Sequence, residues 1–271
     1  MPLSSVSRDF AAIGERMDLD AIIYIVAGCA SGFIATMAGS GSVITLPLLI
    51  FLGVPASVAN GTIRIPILAA SIVSVLKFLR AKVLDWKRGL WISVPFILGA
   101  VAGSELATVI SPKRLREFVI GAVVFVFFLL LYKPDRLLKS RTAETLRMGW
   151  IQMLIFFAVG LWAGFILIDS GTFAILALVL SVRFDLTRAI PVKAFLVLLA
   201  VIVSLLLFYE HSDVNWKIGG LLALGSAFGG WAGAGIASRE WAKIWVYRCL
   251  LFIIIGEITH LVYRFFFFHQ S

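Results

Sequence analysis

Residues 38–62 read AGSGSVITLPLLIFLGVPASVANGT. A small-residue break at Gly39–Ser40–Gly41 leads into an apolar run from 42 to 52, which closes on Gly53–Val54–Pro55 and the polar Asn60–Gly61–Thr62. Eleven helical residues rise about 16 Å, against a hydrocarbon core of about 30 Å. The run is therefore half a crossing, either a re-entrant helix or one arm of a short pair. The same construction returns 130 residues later, where Asp169–Ser170–Gly171 precedes an apolar run from 172 to 182.

Working outward, residues 39–132 align without a gap on residues 169–262, and about twenty of the 94 pairs are identical. Ser40–Gly41 falls on Ser170–Gly171, and Ile72–Val73–Ser74 on Ile202–Val203–Ser204. Trp86, Lys87 and Gly89 fall on Trp216, Lys217 and Gly219, and Gly99, Ala102 and Gly103 on Gly229, Ala232 and Gly233. Shared Leu and Ala content explains some matches but not the ungapped Trp–Lys–x–Gly. Five segments are predicted per half: 21–38, 42–52, 58–80, 89–109 and 115–132, then 149–168, 172–182, 188–209, 217–237 and 241–263. Each short pair returns the chain to the face it came from. The other three segments then make an odd number of crossings, so the second half enters from the opposite face. The predicted organisation is an N-terminal extension (1–20), a first repeat (21–132), a basic linker (133–148), an inverted second repeat (149–263) and a tail (264–271).

Composition agrees. The 271 residues are 61% hydrophobic and 14% charged, where soluble domains are about 45–50% apolar and 25% charged. This excludes a water-soluble enzyme, a disulfide scaffold and a disordered chain. The absence of period-2 alternation argues against a membrane barrel. The expected fold class is an all-α polytopic membrane protein with two inverted five-segment repeats, each carrying a broken or re-entrant short helix pair.

The net charge of +9 sits mostly in loops beside apolar runs, which points to topology and lipid headgroups rather than nucleic acid. The stretch 77–88 carries Lys77, Arg80, Lys82, Lys87 and Arg88, and the linker adds Lys133, Arg136, Lys139, Arg141 and Arg147. By the positive-inside rule both are cytoplasmic and both termini are outside, although Lys113, Arg114 and Arg116 then fall on the other face. Cys29 and Cys249 lie far apart in apolar segments, so no disulfide or metal site is expected. Residues 1–20 lack the pattern of a cleavable signal, so the first helix is expected to be retained.

Inverted repeats broken at matching positions are a transporter signature, with the site near the midplane between the repeats. At each break a short helix begins with N–H groups that have no intrahelical acceptor and with partial positive charge, so two such starts can hold an anion. Gly41, Ser42, Gly171 and Thr172 stand at these starts, with Ser40 and Ser170 beside them. Relief of crowding where helices cross is the competing reading of the glycines. Arg64 lies about 9 Å into its segment, and Lys193 occupies almost the same place in the second half, one position out of register. Cations at that depth need a partner or a polar cavity. Arg64 is either a ligand for an anion or the ion-pair partner of Glu105. Asn60 can orient an oxyanion or cap a helix. Asp169, whose counterpart is Gly39, is a candidate for proton coupling, a helix cap or a partner of Lys193. Glu257 and His260 receive no role. The glycine spacings 28/32, 99/103, 160/164 and 225/229/233 are predicted packing seams, and Trp86, Trp91, Trp216, Trp241, Trp245 and Phe265–Phe268 interfacial anchors. No HExxH, CxxC, GxSxG or P-loop pattern occurs, and no cofactor is expected.

The stretch from Ala38–Gly39–Ser40–Gly41–Ser42 through Leu46–Pro47–Leu48–Leu49 and Gly53–Val54–Pro55 resembles the TauE/SafE family of sulfite and organosulfonate transporters. Ala59–Asn60–Gly61–Thr62, the loop Lys82–Val83–Leu84–Asp85–Trp86 and the repeat from Gly160 onward fit as well, so the likeness extends over nearly all of the chain after residue 20. It departs at Asp169–Ser170–Gly171–Thr172, where the family has a glycine-rich turn, and at Ala177, the counterpart of Pro47. The resemblance implies a secondary transporter of sulfite, sulfoacetate or another organosulfonate in the bacterial cytoplasmic membrane. Its partners are expected to be the anion and membrane lipids, with a homodimer left open. The alternatives are an intramembrane enzyme acting on a lipid or sulfur compound, and a cation channel.

Overall fold

The structure is a computed structural model that describes residues 3–39, 41–109, 149–210 and 214–239, together with Arg248. The expected segments 115–132 and 241–263, the linker and the tail lie outside the described residues, as do Ser40, Trp241, Trp245, Glu257, His260 and Cys249. Within the described residues the chain is all-helical. The helices are α1 (Leu3–Met37), α2 (Ser42–Phe51), α3 (Ala56–Thr62), α4 (Arg64–Arg80), α5 (Trp86–Val109), α6 (Trp150–Phe165), α7 (Ser170–Leu180), α8 (Leu186–Glu210) and α9 (Trp216–Ala237). Among the described residues, five stretches are long and apolar enough to cross a membrane: Asp20–Met37, Ala56–Arg80, Trp86–Ala107, Leu186–Glu210 and Trp216–Ala237. The short helices α2 and α7, ten and eleven residues long, are the predicted half-crossings. α1 starts at Leu3, so residues 3–20 continue the first span as helix.

Local chemistry sets these boundaries. Pro66 has no N–H to offer the carbonyl of Thr62, and the helix expected over 58–80 divides there into α3 and α4, with Ile63 between them. In α8 the proline is Pro191, near the helix start, and the helix runs on. α5 and α9 begin behind side-chain caps at equivalent repeat positions. Asp85 Oδ1 accepts from the backbone N–H of Arg88 at 3.2 Å, and Asn215 Oδ1 from that of Ile218 at 3.1 Å.

Packing is reciprocal between the halves. α1 lies along α9, and α6 along α5, while α4 and α8 meet at the centre and also touch α9 and α5 respectively. Both outer seams are built on the predicted glycines. A methyl on Gly28 or Gly32 would enter the backbone of Leu222 or Ser226, and one on Gly225 or Gly229 that of Ile25 or Cys29. Across the other seam Gly99 and Gly103 press on Phe157 and Leu161, and Gly160 and Gly164 on Phe96 and Ala100. Such contact suits a bilayer, where van der Waals packing rather than water expulsion joins helices. The outward faces are apolar: Phe51 is 87% and Trp91 76% exposed. Trp86 and Trp216, the first residues of α5 and α9, are also exposed, as interfacial anchors are.

Candidate functional site

The two breaks touch each other. Gly39 (φ +95°) and Asp169 (φ +55°), equivalent in the repeat, both adopt left-handed backbone. Glycine carries no steric cost there, and Asp is among the side chains that tolerate it best. The asymmetric Asp169 thus has a backbone reason to be where it is, and it directly precedes α7. Gly39 lies flat against Gly171: a methyl on Gly171 would stand 2.6 Å from the Gly39 Cα, and one on Gly39 would enter the backbone of Gly171 and Thr172. Hydroxyls bridge the crossing in both directions. Thr172 Oγ1 donates to the Ala38 carbonyl at 3.0 Å, and Ser42 Oγ to the Leu167 carbonyl at 3.4 Å. Each hydroxyl serves the broken backbone of the other half. Ser31 Oγ donates to the Gly41 carbonyl at 2.8 Å, and Ser170 Oγ to Leu167 at 2.9 Å.

A helix that stops inside a bilayer leaves its last carbonyls without N–H partners and its end partially negative. Lys193, on α8, is 2% exposed. Its Nζ donates to the carbonyls of Ala35 at 2.7 Å and Thr36 at 3.0 Å, in the last turn of α1. Arg64, on α4, is fully buried. Its Nη2 donates to the Gly164 carbonyl at 2.7 Å, at the end of α6, and its Nη1 to Ser204 Oγ at 2.6 Å. The guanidinium carbon sits 4.1 Å from the ring centre of Phe208, a cation–π contact, and Nε is buried without a partner. The alternative of an Arg64–Glu105 pair does not hold, since Glu105 lies on the exposed face of α5. Asn60 Nδ2 donates to the Phe165 carbonyl at 3.2 Å, and Ser104 Oγ to that of Gly164 at 3.2 Å.

A small cavity of about 20 Å³ lies where the two breaks cross. Lys193, Gly41, Ser170 and Gly171 line it, as do Thr36 and Ser71. Arg64, Ser42, Asn60, Thr172 and Asp169 are not on its wall. The structure thus brings four of the sequence-predicted residues together around one space and gathers Arg64 and Asn60 at the end of α6. Sequence reasoning missed Thr36, Ser71 and Ser74. Thr36 Oγ1 and Ser74 Oγ are 2.9 Å apart, and Ser74 also donates to the Gly230 carbonyl at 3.2 Å. The match of Ser74 to Ser204 was the available signal: one meets Thr36, the other Arg64. A larger cavity of about 380 Å³ lies at the helix ends near Gln152, Ser181 and Arg183, away from both breaks. Among the described residues no cluster of His, Cys, Asp and Glu could hold a metal. The cavity at Lys193 offers an ammonium, hydroxyls and close backbone, the donors an oxyanion uses.

An all-helical bundle with two half-crossings meeting beside buried cations has the build of a secondary transporter. The sequence model of the family described as Sulfite exporter TauE/SafE matches residues 24–257, and the chain belongs to that family. Among similar proteins, a "Probable membrane transporter protein" of Haemophilus influenzae is 28% identical over 221 residues, covering 80% of this chain and 85% of the relative. "Probable membrane transporter protein YfcA" of Escherichia coli (strain K12) is 27% identical, covering 82% of each. "Probable membrane transporter protein YunE" of Bacillus subtilis (strain 168) is 26% identical, covering 88% of this chain and 97% of the relative. No solved structure matches the chain. The protein is a multi-pass membrane transporter, not an enzyme.

Proposed function

We propose that the protein carries a small sulfur oxyanion, sulfite or an organosulfonate such as sulfoacetate, across the bacterial cytoplasmic membrane by alternating access. The observation that carries this reading is Lys193, an ammonium buried beside a polar cavity where the two broken helices cross. Two of its three donors are given to carbonyls of α1, which leaves one for a ligand. Ser71, Thr36 and the backbone at Gly41 and Gly171 complete a donor-rich wall. The family's description as sulfite exporters supports the choice of anion. A volume of about 20 Å³ accommodates roughly one water. Entry of sulfite therefore needs the cavity to widen toward one face, the motion that alternating access supplies. The packed groups, α1 with α4 and α9 on one side and α5 with α6 and α8 on the other, are the bodies that would move. The termini lie outside in this reading, and Asp169 is the candidate for coupling to protons.

The test is sulfite flux into proteoliposomes containing the full chain. Lys193→Ala is expected to reduce flux at least tenfold, with Asp169→Asn removing any acceleration by a proton gradient. Flux of sulfite and sulfoacetate unchanged by Lys193→Ala would overturn the site, and no flux of either anion by the unaltered chain would overturn the substrate.

A further inference from the structure

The contacts of Arg64 and Lys193 are the same contact made twice, with the halves exchanged. Arg64 belongs to the first half and holds the end of α6 in the second; Lys193 belongs to the second half and holds the end of α1 in the first. The two stand within one residue of the repeat offset. A serine matched by the repeat stands beside each: Ser204 accepts from Arg64, and Ser74 meets Thr36, whose carbonyl Lys193 holds. The state of the two contacts differs. At the α6 end the guanidinium is clamped by Gly164, Ser204 and the Phe208 ring, and Arg64 is not on the wall of the cavity at Lys193. At the α1 end the ammonium stands on a cavity wall with Ser71.

We propose that Arg64 and Lys193 are a reciprocal pair of latches, each fastening the broken helix of the opposite half, and that their relative tightness decides which membrane face the cavity opens to. They act as positioning residues, one latch tight while the other borders the open space. In the opposite state of the carrier the cavity lies at the Arg64 end, and the ammonium of Lys193 is the sealed one. A buried cation on a helix end suits this task. The bond is strong while water is excluded and weakens once water reaches either partner, so it switches with access. The proposal rests on the alternating-access reading.

The experiment places a thiol on the cavity wall by Ser71→Cys in a full chain carrying Cys29→Ser and Cys249→Ser. Proteoliposomes of known orientation are labelled from each face with a membrane-impermeant thiosulfonate, alone and with Lys193→Met or Arg64→Met added. The two additions are expected to shift the ratio of labelling rates between the faces in opposite directions, by about fivefold or more. A purely structural role would move both variants the same way. Labelling ratios that shift in parallel, or not at all, overturn the latches. Should the methionine variants fail to fold, Ser204→Ala and Ser74→Ala, which remove the serine beside each latch and leave both cations in place, must show the opposed pattern. Sulfite flux by the unaltered chain is scored separately. Opposed labelling without sulfite flux overturns the substrate reading and keeps the latches, whereas flux with parallel labelling does the reverse.

Discussion

The breaks at α1 and α6 solve one problem with different side chains. Both leave helix carbonyls in the interior of the bundle, and both receive a cation from the other half. At α6 the cation is a planar guanidinium, fixed by two hydrogen bonds and an aromatic face. At α1 it is an ammonium on a flexible stem, with a donor to spare. Arg is pre-organised and always charged, whereas Lys is a compact, rotatable point charge. The short helices differ too: α7 has nine buried residues, α2 four. The second short helix is the more deeply buried, and the polar space lies where the two breaks cross, on the side of Lys193. On the proposed reading, the two copies of one sequence repeat serve as an anchor and a binding edge.

The largest expected effect separates those roles. Arg64→Ala removes a fully buried side chain and leaves the Gly164 carbonyl with the Ser104 hydroxyl alone and Ser204 with only its own bond to the Val201 carbonyl. A loss of about 3–5 kcal/mol is expected from the cavity and the lost hydrogen bonds together. Lys193→Ala, beside an existing cavity, is expected to cost about 1–3 kcal/mol while reducing anion flux the more sharply of the two. Thermal unfolding in detergent micelles, set beside proteoliposome flux, checks the ranking. If Lys193→Ala proves the more destabilising, the assignment of anchor and edge is reversed.

Next in size is the crossing point. Gly39→Ala drives a methyl into the backbone of Gly171 and Thr172 at a left-handed residue, with an expected cost of about 2–4 kcal/mol. Asp169→Gly at the equivalent position keeps the backbone permitted, so its expected loss is the smaller of the two and comes from the buried side chain alone. Equal losses from the two would show that Asp169 holds the break by its side chain as well as its backbone.

A smaller effect is expected on the cavity wall. Ser71→Ala takes away one neutral donor and should raise the half-saturating sulfite concentration about three- to tenfold, with little change in unfolding. An unaltered affinity would remove α4 from the binding edge.

Much of this was legible in the sequence. The breaks, the half-crossings and the glycine seams follow from run length and residue size, quantities a linear reading measures directly. Arg64 and Lys193 could be singled out because charge is rare inside an apolar run. Their partners could not, because each donates to carbonyls of the other half 100 to 158 positions away, and a carbonyl leaves no mark on residue identity. Thr36 and Ser71 were hidden for a related reason. A hydroxyl in a membrane helix satisfies itself on its own turn or lines a cavity with equal ease, and only the facing helix decides between them. The division of 58–80 at Ile63 was written in Pro66, whose missing N–H falls one turn above Thr62.

The smallest effect tests whether the two halves share backbone geometry beyond the breaks. α2 ends in a turn at Gly53 (φ +84°), where the N–H of Gly53 donates to Ile50 and that of Val54 to Leu49. This is the Schellman pattern, which calls for a left-handed residue just past the helix. At the equivalent position after α7 stands Arg183 (φ +64°), with Phe184 donating to Leu178. The turn after α7 closes over six residues rather than five, yet the same repeat position is left-handed in both and is filled once by the residue that suits it and once by one that does not. A Cβ at Gly53 would meet nothing within 4 Å, so Gly53→Ala carries only the backbone penalty. That penalty is about 1–2 kcal/mol, offset by the unfolded-state freedom that glycine loses, for a net loss of about 0.5–1 kcal/mol. Arg183→Gly runs the same exchange backwards and should raise the unfolding midpoint by a comparable amount. If Arg183→Gly instead lowers it, the arginine side chain repays its strained backbone through contacts of its own, and the second turn has acquired a role that the first lacks.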